Sequence, residues 1–218
     1  MKKMIKQFQK NVDNLFIEGS LGRDLPDEFR ISELPYCAAK SYYRRKLGVQ
    51  SKQNGKMFAG SLCHARLEDL VKGIPEFKNA EFEVECQKQH GEISLMGHCD
   101  ILTEDCVYEF KFSGSDLKKY PDPIHWMLQV NAYATILEVP KWCIIQLNSR
   151  NLVVEMIPGL QNDISYDILL DKAKTIHKSL ADNKPPEGPA YPWECYFCNE
   201  LKDECKNYVD KMKKKVKK

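Results

Sequence analysis

A chain of 218 residues with 43% apolar side chains is long enough to bury the core of one domain and to carry an appended piece. Its 33 basic and 31 acidic residues nearly cancel, so no whole-molecule field announces a polyanionic partner, and any attraction for nucleic acid must come from local patches. No apolar run approaches membrane-spanning length, the opening Met1-Lys2-Lys3-Met4-Ile5-Lys6-Gln7 lacks the apolar stretch of a secretion signal, and nine cysteines make an odd number; a soluble cytoplasmic protein is expected, with no membrane contact and with thiols used for metal ligation rather than disulfides.

In chain order, Ser32 reads as the cap of a first helix running from about Leu34 to Leu47, with Cys37 near its start and Gly48 as its stop. On it, Tyr42, Tyr43, Arg44 and Arg45, with Lys40 and Lys46, combine cations and stacking rings as a single-strand DNA groove requires, although such a run taken alone is usually a solvated helix face. Gly55 to Val71 reads as a second helix with an apolar stripe of Ala59, Leu62, Cys63, Leu67 and Leu70, ended by Gly73 and Pro75; His64 lies beside the stripe. Ala80, Phe82, Val84 and Cys86 then alternate with Glu81, Glu83, Glu85 and Gln87, the signature of a half-buried strand.

Gly91 turns this strand into a second, Ile93 to Leu102, and Thr103-Glu104-Asp105 breaks it before Cys106 to Phe112 resumes with β-branched and aromatic residues. Side chains two apart on a strand share a face, so Glu109 and Lys111 point one way while Tyr108, Phe110 and Phe112 point into an apolar side. Pairing around the turn brings Asp100 close to Glu109, within reach of one hard cation such as Mg²⁺ or Mn²⁺. An acid-x-Lys pair alone is commonly a solvated charge ladder.

Pro123 to Leu137 carries helix periodicity and stacks Gln129 and Tyr133, four apart, on one face. Trp142–Leu147 and Leu152–Ile157 read as a strand pair around Asn148-Ser149-Arg150-Asn151, and a long helix capped by Asp163 follows. The prolines of Pro185-Pro186-Glu187-Gly188-Pro189 then interrupt regular structure, and a compact cysteine-bearing tail leads to a lysine-rich end. This order predicts an α/β fold with a mixed central sheet flanked by helices. It divides into an N-terminal helical region over 1–54, a core over 55–184 and a cysteine segment with basic tail over 185–218.

Cys195-x-x-Cys198 followed by Cys205 gives three close thiolates, and tetrahedral or cluster sites normally take four. Cys37, after Pro35-Tyr36, is the candidate fourth; Cys63, Cys86, Cys99, Cys106 and Cys143 fit core patterns as small hydrophobes. Thiolate chemistry leaves zinc and an iron-sulfur cluster both open, and the aromatic surroundings of Trp193, Tyr196 and Phe197 favour the cluster by shielding it from solvent. His98, His125 and His177 fall outside any ordered set and read as surface or packing residues.

The ordered series His64, Gly97-His98-Cys99-Asp100, Glu109-x-Lys111 and Gln129-x-x-x-Tyr133 resembles the RecB-like branch of the PD-(D/E)xK nucleases, whose restriction-endonuclease-like core carries a helix histidine, GxxD, ExK and QxxxY. With Cys37 and the three late cysteines, the match over residues 37–205 resembles the CRISPR-associated Cas-four exonucleases and the iron-sulfur nuclease domain of bacterial recombination helicases. The resemblance implies a metal-dependent DNA exonuclease, with Asp100, Glu109, Lys111, Gln129 and Tyr133 catalytic and His64, Asp100, Glu109 and the Phe110 backbone carbonyl on Mn²⁺ or Mg²⁺. It implies a four-iron four-sulfur cluster on Cys37, Cys195, Cys198 and Cys205, which ties the tail to the N-terminal helix, and a CRISPR integrase as partner in spacer acquisition. No proline follows Cys37 or Cys198, where relatives often have one, which keeps zinc as an alternative occupant. A recombination, repair or viral nuclease, or a cluster-bearing DNA-binding adaptor, would keep many of the same residues, and either a monomer or an oligomer is compatible with them.

Overall fold

A computed structural model describes residues 25–48, 55–114, 123–189, 193–198 and 204–205. The elements are β1 (Glu28–Arg30), α1 (Ala38–Leu47), α2 (Gly55–Val71), a 3₁₀ turn (Pro75–Phe77), β2 (Glu81–His90), β3 (Ile93–Leu102), β4 (Cys106–Ser113), α3 (Ile124–Ile136), β5 (Lys141–Asn148), β6 (Val154–Leu160), α4 (Asp163–Ala181) and the single turn α5 (Glu194–Phe197). The expected order of helices and strands is observed, with three shifts at element starts and one added strand.

The first shift is at α1, which begins at Ala38 with Cys37 as N-cap rather than near Leu34. Leu34 precedes Pro35, whose ring disfavours helical backbone at the residue before it, so residues 31–36 instead form turns closed by Glu33 N–H to Arg30 O and Tyr36 N–H to Glu33 O. At the other end Gly48 ends the helix as expected, in the left-handed conformation at φ 62°. The second shift is at α4, whose N-cap is Asn162 rather than Asp163: the Asn162 side chain accepts from the Ser165 N–H. In the third, β6 starts at Val154, two residues after Leu152, because Asn148 and Asn151 side chains accept backbone N–H groups in the intervening turn.

The sheet is mixed. β2 and β3 form a hairpin through Gly91, β3 pairs antiparallel with β4, β4 pairs parallel with β5 across the α3 crossover, and β5 pairs antiparallel with β6. The added strand β1 runs parallel to β3 at Ser94–Met96. β2 follows β3 along its whole length on one edge, so β1 and β4 share the other: β4 takes Ile101 and Leu102, and β1 takes the N-terminal half. Between them, at Gly97 to Asp100, β3 parts from β4.

Each face of the sheet has its own core. On β5, Trp142 and Ile144 join Val130, Ala134, Leu169, Ala173 and Ile176 under α3 and α4, while Cys143 and Ile145 join Val71 and Phe110 on the α2 side. The stripe expected on α2 is only partly buried. Leu67 and Val71 pack on the sheet, whereas Leu62 and Leu70 are exposed.

Alternation fails at one place. Val84, Cys86 and Cys99 join the α3 side, but Phe82 and Ile101, which the period-two pattern sets on that same face, pack on the α2 side. The switch falls at Glu83, which sits at φ 51° inside β2, and at Asp100 opposite it.

Candidate active site

Four elements converge where β3 leaves β4. β3 supplies Asp100, β4 supplies Glu109 and Lys111, α3 supplies Gln129 and Tyr133, and α2 supplies His64 from the opposite side of the sheet. Asp100 and Glu109 are buried, 6% and 5% exposed, as expected of paired acids drawn into a cleft. The Asp100 carboxylate accepts the Phe110 backbone N–H, which joins the two strands through a side chain at the point where their ladder ends. His64 closes the other side: its Nε2 lies 3.0 Å from Phe110 O and its Nδ1 3.5 Å from Asp100 Oδ1.

On the α3 face the polar groups form a relay. Lys111 Nζ donates to Glu109 Oε1 at 2.8 Å and to Gln129 Oε1 at 2.9 Å, and Gln129 Nε2 donates to the same Glu109 oxygen at 2.8 Å and contacts the Tyr133 hydroxyl at 3.1 Å. Gln129 and Tyr133, one helical turn apart, therefore act on one face as their spacing predicts. Gly97 belongs to the same assembly, because a Cβ there would stand 2.6 Å from Tyr133 Cε1.

The charge balance of this site is unfinished. Burial, reinforced by the Glu109 charge, pushes the Asp100 carboxyl up to about 9. Glu109 Oε2 is buried and has no hydrogen-bond partner. Two carboxylates held together out of water, with one orphaned oxygen, have the chemistry of a cation site rather than of a structural pair.

His125, one turn before Gln129 on α3, packs among the rings of Tyr36, Trp126 and Trp193, the packing role expected of it, and burial, aided by the Lys111 charge, lowers its pKa to about 4. One residue near this centre escaped the sequence reading: Glu83, whose ligand oxygen lies within 4.8 Å of ligand atoms of both His64 and Asp100. Counting back through the Gly91 turn pairs position 83 with position 100, but alternation had placed Glu83 among solvent-facing residues.

Of the four α1 residues expected to contact DNA, Tyr42 and Arg45 are taken up by the fold. Tyr42 is fully buried in the core, and Arg45, its side chain 1% exposed, pairs with Glu33, donates to Glu28 O at 2.7 Å and covers the Phe29 ring. Arg44 is half-buried, and Tyr43 faces the cysteines instead.

Those cysteines do converge. Cys37, Cys195, Cys198 and Cys205 line one cavity of about 250 Å³ together with Tyr36, Lys40, Tyr43, Pro189, Trp193 and Glu194. Burial pushes the Cys37 thiol up to about 11. Lys172 of α4 bonds to Tyr36 O and bears toward Cys37 and Glu194. The Tyr36 and Trp193 rings of this cavity lie 5.3 and 6.0 Å from the ring of His125 on α3.

No protein-family model matches the sequence, and no curated protein matches it. Solved structures do. The crystal structure of SSO0001 aligns at a TM-score of 0.67 with 19% identity, over 93% of this chain and 96% of that one. An alkaline exonuclease from Laribacter hongkongensis aligns at 0.52 with 11% identity, over 80% of this chain and 93% of that one. A phage related exonuclease from Haemophilus somnus 129PT aligns at 0.52 with 10% identity, over 67% and 80%. The architecture is the restriction-endonuclease-like fold that the motif order led us to expect.

Proposed function

We propose that this chain is a metal-dependent deoxyribonuclease that digests single-stranded DNA from its ends with Mg²⁺ or Mn²⁺. The observation that carries the reading is the Lys111–Glu109–Gln129 relay standing against Asp100 at the divergence of β3 and β4. The donor set fits a hard cation: His64, Asp100, Glu109 and the Phe110 carbonyl offer oxygens and one imidazole, and the orphaned Glu109 Oε2 needs a positive partner. A histidine in the set favours tolerance of Mn²⁺. When bound, the ion would polarise the scissile phosphate and lower the pKa of a bound water.

The chain's own groups then divide the work. Lys111, fixed by two acceptors, orients the attacking water or stabilises charge building on the phosphate oxygens. Gln129 holds Lys111 and Glu109 in register, and Tyr133 holds Gln129. His64 braces Asp100 and the Phe110 carbonyl from the α2 side.

Exonucleolytic action on DNA is supported by likeness to two proteins described as exonucleases, and a role in CRISPR spacer acquisition beside an integrase by the motif order combined with the four cysteines. The phage related neighbour favours a second setting, a viral or recombination nuclease with the same chemistry. The reading assigns the cysteine cavity to a structural four-iron four-sulfur cluster.

The test is cleavage of single- and double-stranded DNA, labelled separately at each end, with Mg²⁺, Mn²⁺ or EDTA. Wild type should release label only with metal, and Lys111→Ala should be slower by roughly 10²-fold or more while still binding DNA. Equal behaviour of the two proteins would overturn the catalytic reading and favour a DNA-binding adaptor.

A further inference from the structure

β2 and β3 carry an arrangement that the relay and the four motifs leave unexplained. Glu83 and Asp100 fall opposite each other by register, between the Phe82–Ile101 and Val84–Cys99 pairs, at the one step where the ladder of the hairpin is interrupted. Like charges directly opposed across an antiparallel pair repel. Glu83 also takes a left-handed backbone, φ 51°, which side chains other than glycine and asparagine rarely adopt in a strand. A sequence selected only for a half-buried strand gains nothing from either feature.

Their common result is geometric. The reversed backbone at Glu83 accompanies the change of face between Phe82 and Val84 and brings the Glu83 carboxylate to His64 as well as to Asp100, with ligand atoms of all three within 4.8 Å of one another. A separate observation asks for a cation beside Asp100. Glu109, whose charge bears directly on Asp100, is buried with Oε2 unpartnered while its other oxygen is held by Lys111 and Gln129.

We infer that Glu83 is a direct ligand of the divalent cation, a third carboxylate brought from β2 beside His64 and Asp100. The inference rests on the metal-dependent reading above and adds to it a residue from outside the four motifs. Glu83, Asp100 and His64 supply three converging donors, and the buried Glu109 carboxylate, whose charge acts on Asp100, adds a further oxygen source for Mn²⁺ or Mg²⁺.

The experiment is Mn²⁺ titration of the full chain, purified anaerobically and without DNA, followed by the loss of the free-ion electron paramagnetic resonance signal. Wild type, Glu83→Gln, Glu83→Gly and Asp100→Asn are compared. Both Glu83 variants should bind Mn²⁺ roughly 10- to 100-fold more weakly, the range seen when a side chain that shapes a metal site is removed. Glu83→Gly guards against trivial unfolding, since glycine adopts this backbone freely and its metal-free melting temperature should equal or exceed that of wild type. Unchanged Mn²⁺ affinity in both Glu83 variants, with loss in Asp100→Asn, would overturn the inference and leave the metal-dependent reading standing. No Mn²⁺ binding by wild type at millimolar concentration would overturn both.

Discussion

At Gly97 a methyl group would meet the Tyr133 ring at 2.6 Å from Cε1 and 3.0 Å from the hydroxyl, so the first motif is sterically keyed to the last. The ring end that presses on Gly97 is the end that reaches Gln129, and Gln129 in turn holds Lys111 and Glu109. We therefore expect Gly97→Ala to cost about 1–3 kcal/mol by overpacking and to slow cleavage by roughly 10²-fold through misplacement of the relay. Urea unfolding and turnover of the single and double variants check this. In Gly97→Ala with Tyr133→Ala the stability losses should be clearly less than additive, because the second change removes the clash. Gly97 could be singled out from the chain as a motif position, but its reason lies in a ring from a helix 36 residues onward, which no local pattern contains.

At the scale of elements, α1 shows how one composition serves two opposed uses. Its cations and rings read as a nucleic-acid surface, yet the helix is docked on β1 by Arg45, which reaches Glu33, Leu25 O and Glu28 O, and by Tyr42 in the core. The Arg45–Glu33 pair is largely out of water, so removing one partner leaves a buried charge uncompensated. Arg45→Met should lower stability by about 3 kcal/mol or more while the folded variant keeps wild-type affinity for single-stranded DNA. A loss of affinity in folded protein would restore the groove reading for this helix. β1 itself was invisible in advance: three residues, Glu28–Arg30, carry too short a period to read, and they become a strand only because β3 offers a free edge there. The same holds for Glu83, where one left-handed residue sets Ala80 and Phe82 on the opposite face from Val84 and Cys86, against the single alternating face read from the sequence.

For the whole molecule the decisive feature is that Cys37 shares one cavity with Cys195, Cys198 and Cys205, although nearly the entire described chain lies between them. A group bridging these thiolates closes a long loop, and closing it favours the folded state. We expect anaerobically purified protein to carry about four irons per chain, the stoichiometry of a four-cysteine cubane. Cys37→Ser should lower the melting temperature by several degrees, at about 2–4 °C per kcal/mol for a chain of this size, and should open the C-terminal segment to limited proteolysis. One zinc and no iron would assign the site to the other thiolate-loving occupant. By itself the sequence determined the element types, the strand order around the site and the motif residues, because periods of two and 3.6, turn residues and residue chemistry are all local quantities. Only the tertiary structure decided that β3 parts from β4 at Asp100, that Glu83 joins His64 and Asp100, and that Tyr42 and Arg45 are buried. Each of these depends on which distant surfaces pack together, and packing is a property of the assembled chain.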